Sequence, residues 1–336
     1  DGEWTVAVDG AAWENRFSYV WNTLFSADGR HVAVAFQQDM SYGMACNDTP
    51  WEQTFPNLTN PMISLNDGQT AAVVQVEALS EGEIHKYQQG IYSAAVGGVP
   101  WEQRFVNVWK TAFSPDGTSL AAEIRHNLYD YTIAVNGVPW NQVFGCVWEP
   151  VFNPTNGKVV APVRIQGKWA LAENGQVIWE RRFVQLWHAR YSPDGKRLAA
   201  IVAPEFGRWT VAVDGAPWRA TVREMVTDAV FSPDGTRIAA VVKDQGRWSL
   251  AADGHIWQNT FDMAWKPVFS PDGRHLAAKV QRNGKYTIVV DDRPWRQECD
   301  MAWDPVFSPD GGKLLLRTIE GGTYFRRVVP VAGITG

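Results

Sequence analysis

The feature that most restricts this chain is a ladder of tryptophans. Trp13, Trp51, Trp101, Trp140, Trp179, Trp218, Trp257 and Trp295 follow one another at steps of 38, 50, 39, 39, 39, 39 and 38 residues. A period near 40 marks a repeat array, in which each unit buries its apolar face against its neighbours. Helical repeats of that period need amphipathic runs at 3.6-residue spacing, and none is present, so the repeat is made of strands.

A representative unit from Trp265 to Cys299 reads WKPVFSPDG, RHLAAKVQRNGK, YTIVVDD and RPWRQEC, four short strands. The first strands end at Phe25, Ile63, Phe113, Phe152, Tyr191, Phe231, Phe269 and Phe307. Five of them run into Ser-Pro-Asp-Gly, at 114–117, 192–195, 232–235, 270–273 and 308–311. Pro presets one turn angle, Asp bonds nearby backbone, and Gly accepts the positive φ of the reversal. The second strand, LAAxV, suits burial on both faces. The third, as in WTVAVDG at Trp209, stops at Asp-Gly, a hairpin signal. The fourth, as in WEQRF at Trp101, is polar between aromatics, as an outer edge strand should be. Pro61, Pro150, Pro267 and Pro305 recur in the first strand, which makes it the innermost edge. Pro162, inside a second strand, predicts a local bulge.

All 18 tryptophans fall into three columns of the repeat: the fourth-strand ladder, the third-strand openers Trp4, Trp169, Trp209 and Trp248, and the first-strand markers Trp21, Trp109, Trp148, Trp187, Trp265 and Trp303. Periodic rings of this size are expected to staple blade to blade. Eight first strands predict an all-β fold, a single eight-bladed β-propeller of four-stranded blades over residues 1–336. The chain opens with third- and fourth-strand sequence and closes with first and second strands, so the termini are expected to share one blade and close the ring. A segment from Thr323, TYFRRVVPVAG, competes with the Trp4 strand for the same place.

Charge removes some function classes. With 31 basic and 36 acidic residues spread along the chain there is no basic stripe for nucleic acid. No apolar run nears the roughly 20 residues of a spanning helix. Cys46, Cys146 and Cys299 are too few and too scattered for a disulfide framework and read as buried free thiols of a reducing compartment. There is no GxSxG, GxGxxG, phosphate loop or CxxC, and the six histidines are scattered, so no cofactor is expected and the chain reads as a binding protein rather than an enzyme.

Two regions are candidates for binding. The connections between second and third strands vary while the other turns are uniform, and one carries an insertion from Glu77 to Gly90 that includes Glu81, Glu83, His85 and Lys86. The alternative for that insertion is a solvated hairpin extension. The second region is the position after each first-strand marker: Asn22, Asn60, Lys110, Glu149, His188, Asp228, Lys266 and Asp304. On an innermost strand these polar residues form a ring at a channel mouth. Glu149, His188 and Asp228 are the side chains there able to hold a divalent metal. The competing reading is a water-filled channel lined by paired charges, with Lys110 and Lys266 offsetting the acids.

Repeats of the form FSPDGxxLAAxV resemble WD-like, TolB-type propeller repeats, a resemblance covering nearly the whole chain. In tryptophan content and repeat style the chain is also similar to the tryptophan-rich subunits of Tmc-type transmembrane redox complexes of sulfate-reducing bacteria. That resemblance implies a cytoplasmic, cofactor-free accessory subunit docked on iron–sulfur and membrane cytochrome subunits. A periplasmic, TolB-like propeller gripping a peptide is the alternative, and it requires a cleaved signal. The DGAPW at 214–218 bears some likeness to quinoprotein dehydrogenase blades, but the long loops and adjacent cysteines of those enzymes are missing.

Overall fold

The Ser-Pro-Asp-Gly turn sets the regularity of the structure, a computed structural model that describes residues 2–335. At 232–235 the Ser232 hydroxyl donates to the Asp234 carboxylate and accepts from Arg237 N at 2.9 Å, while Gly235 N donates to Ser232 O at 2.9 Å. Gly235 has φ +71°, which a Cβ would strain. One serine therefore ties both arms of the turn. The same hydroxyl-to-aspartate bond recurs at Ser114, Ser192, Ser270 and Ser308.

Those five turns, and their variants at 26–29, 65–68 and 153–157, join the first and second strands of eight antiparallel sheets, the blades of an all-β propeller. Five first strands are continuous: Tyr19–Phe25, Asn57–Ile63, Asn107–Phe113, Gln185–Tyr191 and Met225–Phe231. In blades 4, 7 and 8 the strand is split, into Cys146–Val147 and Val151–Phe152, Met263–Ala264 and Val268–Phe269, and Met301–Ala302 and Val306–Phe307. Each split follows a proline, Pro150, Pro267 or Pro305, which has no N–H to give the ladder. The bulge expected at Pro162 is displaced: Val159–Ile165 runs unbroken through it, and the interruption lies in the partner strand.

Second strands such as Leu198–Glu205 and Ile238–Asp244 are almost wholly buried. The fourth strand begins before its tryptophan rather than at it. In blade 2, Val99–Pro100 pairs with the third strand, and Trp101 N donates to Ala94 O at 2.9 Å. The chain then bends out and rejoins where Phe105 bridges Tyr92. A third-strand hydroxyl holds the bend, as Thr132 Oγ1 does by donating to Gln142 O at 2.7 Å and Thr210 Oγ1 to Ala220 O at 2.7 Å.

The chain divides into two compact units, one running up to Gly167 and taking in Leu171–Ile178, the other comprising Lys168–Ala170 and the chain from Trp179 onward. Within each, a fourth-strand tryptophan seats against the third-to-fourth turn of the next blade. A Cβ on Gly98 would stand 2.9 Å from Trp51, on Gly137 3.1 Å from Trp101, and on Gly175 3.2 Å from Trp140. In the second unit Gly215 faces Trp179 and Gly254 faces Trp218 in the same way. Rings of the other two columns also meet inside a blade while packing against clusters shared by adjacent blades, as Trp187 and Trp209 do between Ile201 and Ile238 and Trp248 between Val241 and Leu276. Trp109 stacks on Tyr131, Trp187 packs on Trp209, and Trp265 on Tyr286.

Of the two terminal segments, the one from Thr323 takes the third-strand place on the last sheet. Lys313–Glu320 is paired along its whole length by Thr323–Pro330, while the N-terminal strands Ala7–Val8 and Ala11–Ala12 pair with each other. Thr323 follows its partner strand directly through Gly321-Gly322, and so short a loop closes at little entropic cost. The short C-terminal helix Ala332–Thr335 packs Val331 and Ile334 toward Trp295. Among the cysteines, Cys299 is buried but Cys46 and Cys146 are only half-buried; all three are free thiols whose pKa burial raises, that of Cys299 to about 11.

The stapling role predicts a contrast. Trp179→Ala, at a ring only 4% exposed, should cost about 3–5 kcal/mol in urea unfolding, as large core truncations do. Phe206→Ala, at a ring 94% exposed, should change stability by less than about 0.5 kcal/mol. Equal losses would show that the ladder is not where blade stacking is held.

Candidate functional site

In the five continuous first strands the position after the marker lies in a β-bulge, and in the three split strands it lies in the gap. The ladder slips between Trp21 and Leu24, Thr59 and Met62, Val108 and Thr111, Trp187 and Arg190, and Thr227 and Val230. Asn22, Asn60, His188 and Asp228 there have φ of 57°, 50°, 51° and 50°. Asn, Asp and His are the non-glycine residues that best tolerate this left-handed conformation. Their polarity is thus a backbone requirement as much as a functional one, which a reading of side-chain polarity alone misses.

Of the eight residues, Glu149 is half-buried and the others are exposed. Asn60 Nδ2 donates to Trp109 O of the next blade at 3.0 Å, Thr227 Oγ1 donates to Asp228 at 3.2 Å, and Asp304 pairs with Lys279 at 3.1 Å. Among the described residues no group of three or more His, Cys, Asp and Glu side chains is assembled to hold a metal ion. Glu149 belongs to the first unit, while His188 and Asp228 occupy equivalent bulges of neighbouring blades in the second.

The Lys279–Asp304 pair shows where one column of the second strand points. Lys279, in Leu276-Ala-Ala-Lys, lies over Trp265 with its ammonium 4.7 Å from the ring centre and reaches the bulge residue of the following blade. In the first unit Glu123 holds the same place, in Leu120-Ala-Ala-Glu, and its charged neighbours are Glu149 of the following blade and Lys110 of its own. Burial first, then the Glu149 charge, push the Glu123 carboxyl up to about 7 against the opposing pull of Lys110. The second-strand pattern concealed this residue, because a carboxylate between Ala122 and Ile124 reads as a solvent-facing exception.

The insertion folds into a short helix, Ile84–Gln89, rather than a hairpin extension. Glu77 pairs with Lys86 at 3.0 Å and Arg104 at 3.1 Å, Lys86 also pairs with Glu83 at 2.8 Å, and Ser80 N donates to Glu83 at 3.0 Å. The Lys86 ammonium and then Ser80 hold Glu83 down at about 2. Two of the four predicted contact residues, Glu83 and Lys86, are therefore engaged within the insertion. Glu81 and His85 stay exposed beside Ile84, which is 72% exposed. Gly90, at φ +99°, lies so close to the Phe105 backbone that a Cβ would come within 3.0 Å.

The tips of the second-to-third connections differ from blade to blade. In blades 6, 7 and 8 an acid at the start of the blade clamps its own tip. Glu224 accepts from Gly246 N at 2.6 Å, Asp262 from Asn283 N at 2.5 Å, and Asp300 from Gly321 N at 2.7 Å. Lys243, Arg247 and Lys285 complete these clamps as ion pairs. Four other tips carry apolar side chains, Met40 and Tyr129, each 80% exposed, with Ile84 in the first unit, and Phe206 in the second, while blade 4 turns on Gln166-Gly167. Met40 has φ +64°, at the turn position where Gly167, Gly246 and Gly284 stand in sister blades. A methionine there bears a backbone strain that the glycines avoid, without gaining burial.

Two solved structures show what this architecture is similar to. One is described as the crystal structure of the eukaryotic initiation factor, with a TM-score of 0.56 and 11% identity over 94% of this chain and 91% of that one. The other is described as the structure of the Dos1 propeller, with a TM-score of 0.45 and 11% identity over 83% and 79%. The similarity is one of fold. No protein-family model and no curated protein matches the sequence. Among the described residues no helix is long and apolar enough to cross a membrane.

The raised Glu123 predicts a pH dependence. Its folded pKa of about 7 exceeds the ordinary glutamate value of 4.5, so the folded state binds the extra proton between those values and stability falls as pH rises through that window. Glu123→Gln should flatten the fall in urea midpoint between about pH 5.5 and about pH 8. An unchanged slope would place Glu123 in water.

Proposed function

We propose that this protein is a non-catalytic, protein-binding scaffold that engages its partner through the apolar tips of its second-to-third strand connections. The observation that carries this reading is Met40. It is an exposed methionine held at positive φ where sister repeats use glycine, a cost that packing within the chain does not explain. Tyr129 in blade 3 and Ile84 in the blade 2 insertion present further apolar side chains on the same connection in the same unit. Methionine and tyrosine supply adaptable and amphipathic contact area, the kind enriched at protein interfaces. The partner we propose, on the tryptophan-rich resemblance, is the set of iron–sulfur and membrane cytochrome subunits of a redox complex. In this reading the scaffold is cytoplasmic and holds no cofactor of its own.

Purification of the tagged protein from its native source in mild detergent tests this. The wild type and the surface control Lys196→Ala should bring down haem- and iron–sulfur-containing subunits in fixed ratio. The double variant Met40→Asp, Tyr129→Asp should recover about tenfold less or lower still, as charges placed in an apolar contact would cause. Undiminished recovery by the double variant would remove the tips from the interface, and a stoichiometric partner without haem would refute the redox assignment.

A further inference from the structure

Two carboxylates show what the bend after the tryptophan can bind. Asp48 accepts from Glu14 N at 2.7 Å and Asn15 N at 3.1 Å, the two residues after Trp13. Asp292 accepts from Gln258 N at 2.7 Å and Asn259 N at 3.1 Å, the two after Trp257. In both cases the asparagine returns a bond of 2.7 Å to the aspartate carbonyl. Both aspartates belong to the next blade's third-to-fourth turn, at the place held by Gly98, Gly137, Gly175, Gly215 and Gly254 elsewhere. The bend is thus a pair of backbone N–H groups shaped to take one carboxylate.

After Trp218 that pair is Arg219 N and Ala220 N, and among the described residues neither has an acceptor. The facing turn residue is Gly254, and Ala220 stands where the capped bends have asparagine, so neither side fills the space. A groove of about 760 Å³ opens there, with Trp218, Arg219, Ala220, Arg197, Gly254 and His255 in its wall. The acid in its wall is spent: Asp253 pairs with Arg237 at 2.9 Å and accepts from Ile238 N, while Arg197 of the wall is paired with Asp214 outside it. Arg197 also donates to Thr236 O at 2.6 Å. The Arg219 guanidinium and the His255 ring have no protein partner among the described residues, so the uncommitted charge facing the groove is positive.

We infer that this groove is a carboxylate-binding site. The carboxylate sits across Arg219 N–H and Ala220 N–H as Asp292 sits across Gln258 and Asn259, the guanidinium of Arg219 adds a charge-assisted bond, and the body of the ligand lies on Trp218. The carboxylate is that of a small organic acid or of an aspartate or glutamate of a protein. The site is separate from the apolar tips and does not depend on the scaffold reading.

The test is an amide NMR titration of the labelled protein with sodium acetate at constant ionic strength, sodium chloride serving as the reference. Acetate should give saturable shifts at Arg219 N–H and Ala220 N–H and none at Gln258 and Asn259, which Asp292 already caps. Gly254→Asp should abolish the response by supplying the carboxylate internally; a Cβ there would make ordinary contact, 3.6 Å from Trp218. Asp292→Gly should create the response at Gln258 and Asn259, so the two variants move in opposite directions. The capped peptide Gly-Asp-Gly should bind about tenfold or more tighter than Gly-Asn-Gly. If the Asp peptide is also tighter than acetate, the source is a protein side chain; equal affinity assigns the site to small acids. A linear response, shifts matched by chloride, or binding unaltered in Gly254→Asp would overturn the proposal.

Discussion

The contact on which the rest of this structure depends is a tryptophan face laid against the turn of the following blade. It works because the turn residue is glycine in most blades. At Gly98 and Gly137 there is no room for a Cβ beside Trp51 and Trp101, so ring and backbone meet directly. Dispersion and apolar burial over so large a ring add up in every repeat, which explains why the ladder keeps its period through a long insertion. Where glycine is replaced, a different bond appears: Asp48 and Asp292 hold the same junction through their carboxylates. The junction is constant, but the chemistry that fills it is not, and that freedom is what leaves the bend after Trp218 open.

Stacking of this kind ties up one end of each blade. The Ser-Pro-Asp-Gly turns spend their hydroxyls and carboxylates on one another and on their own backbone, and the serine hydroxyl first, with the turn's backbone N–H groups, holds Asp116, Asp194, Asp234, Asp272 and Asp310 below the usual carboxylate range. Little chemistry is left there to meet a partner. The opposite connections include three tips closed by acid clamps and four that carry Met40, Ile84, Tyr129 or Phe206. A rigid frame with variable apolar tips is an arrangement for binding, since contact area is presented with little left to order.

The fold was legible because each strand end coincides with a residue whose backbone chemistry is fixed. Phe25 to Phe307 close all eight first strands as the turn pattern requires. Where two segments had equal claims the pattern was silent. Thr323–Pro330 prevailed at the last sheet through chain proximity, a property of connectivity that residue types do not carry. The ring residues were legible as polar, but not as bulge residues, since left-handed φ and channel lining select the same Asn, Asp and His. Glu123 and the tip of Met40 stayed hidden for the opposite reason: one looks like an exposed polar exception and the other like a buried apolar residue. Only burial and φ tell them apart.

The account's central claim is that partner contact falls on the connections between second and third strands. Amide hydrogen exchange, compared between the isolated protein and the native assembly, tests it most directly. The account predicts slowed exchange at residues 39–40, 79–87 and 128–130, with the turns at 114–117 and 232–235 unchanged. Protection confined to those turns, with the tips exchanging as in the free protein, would contradict it.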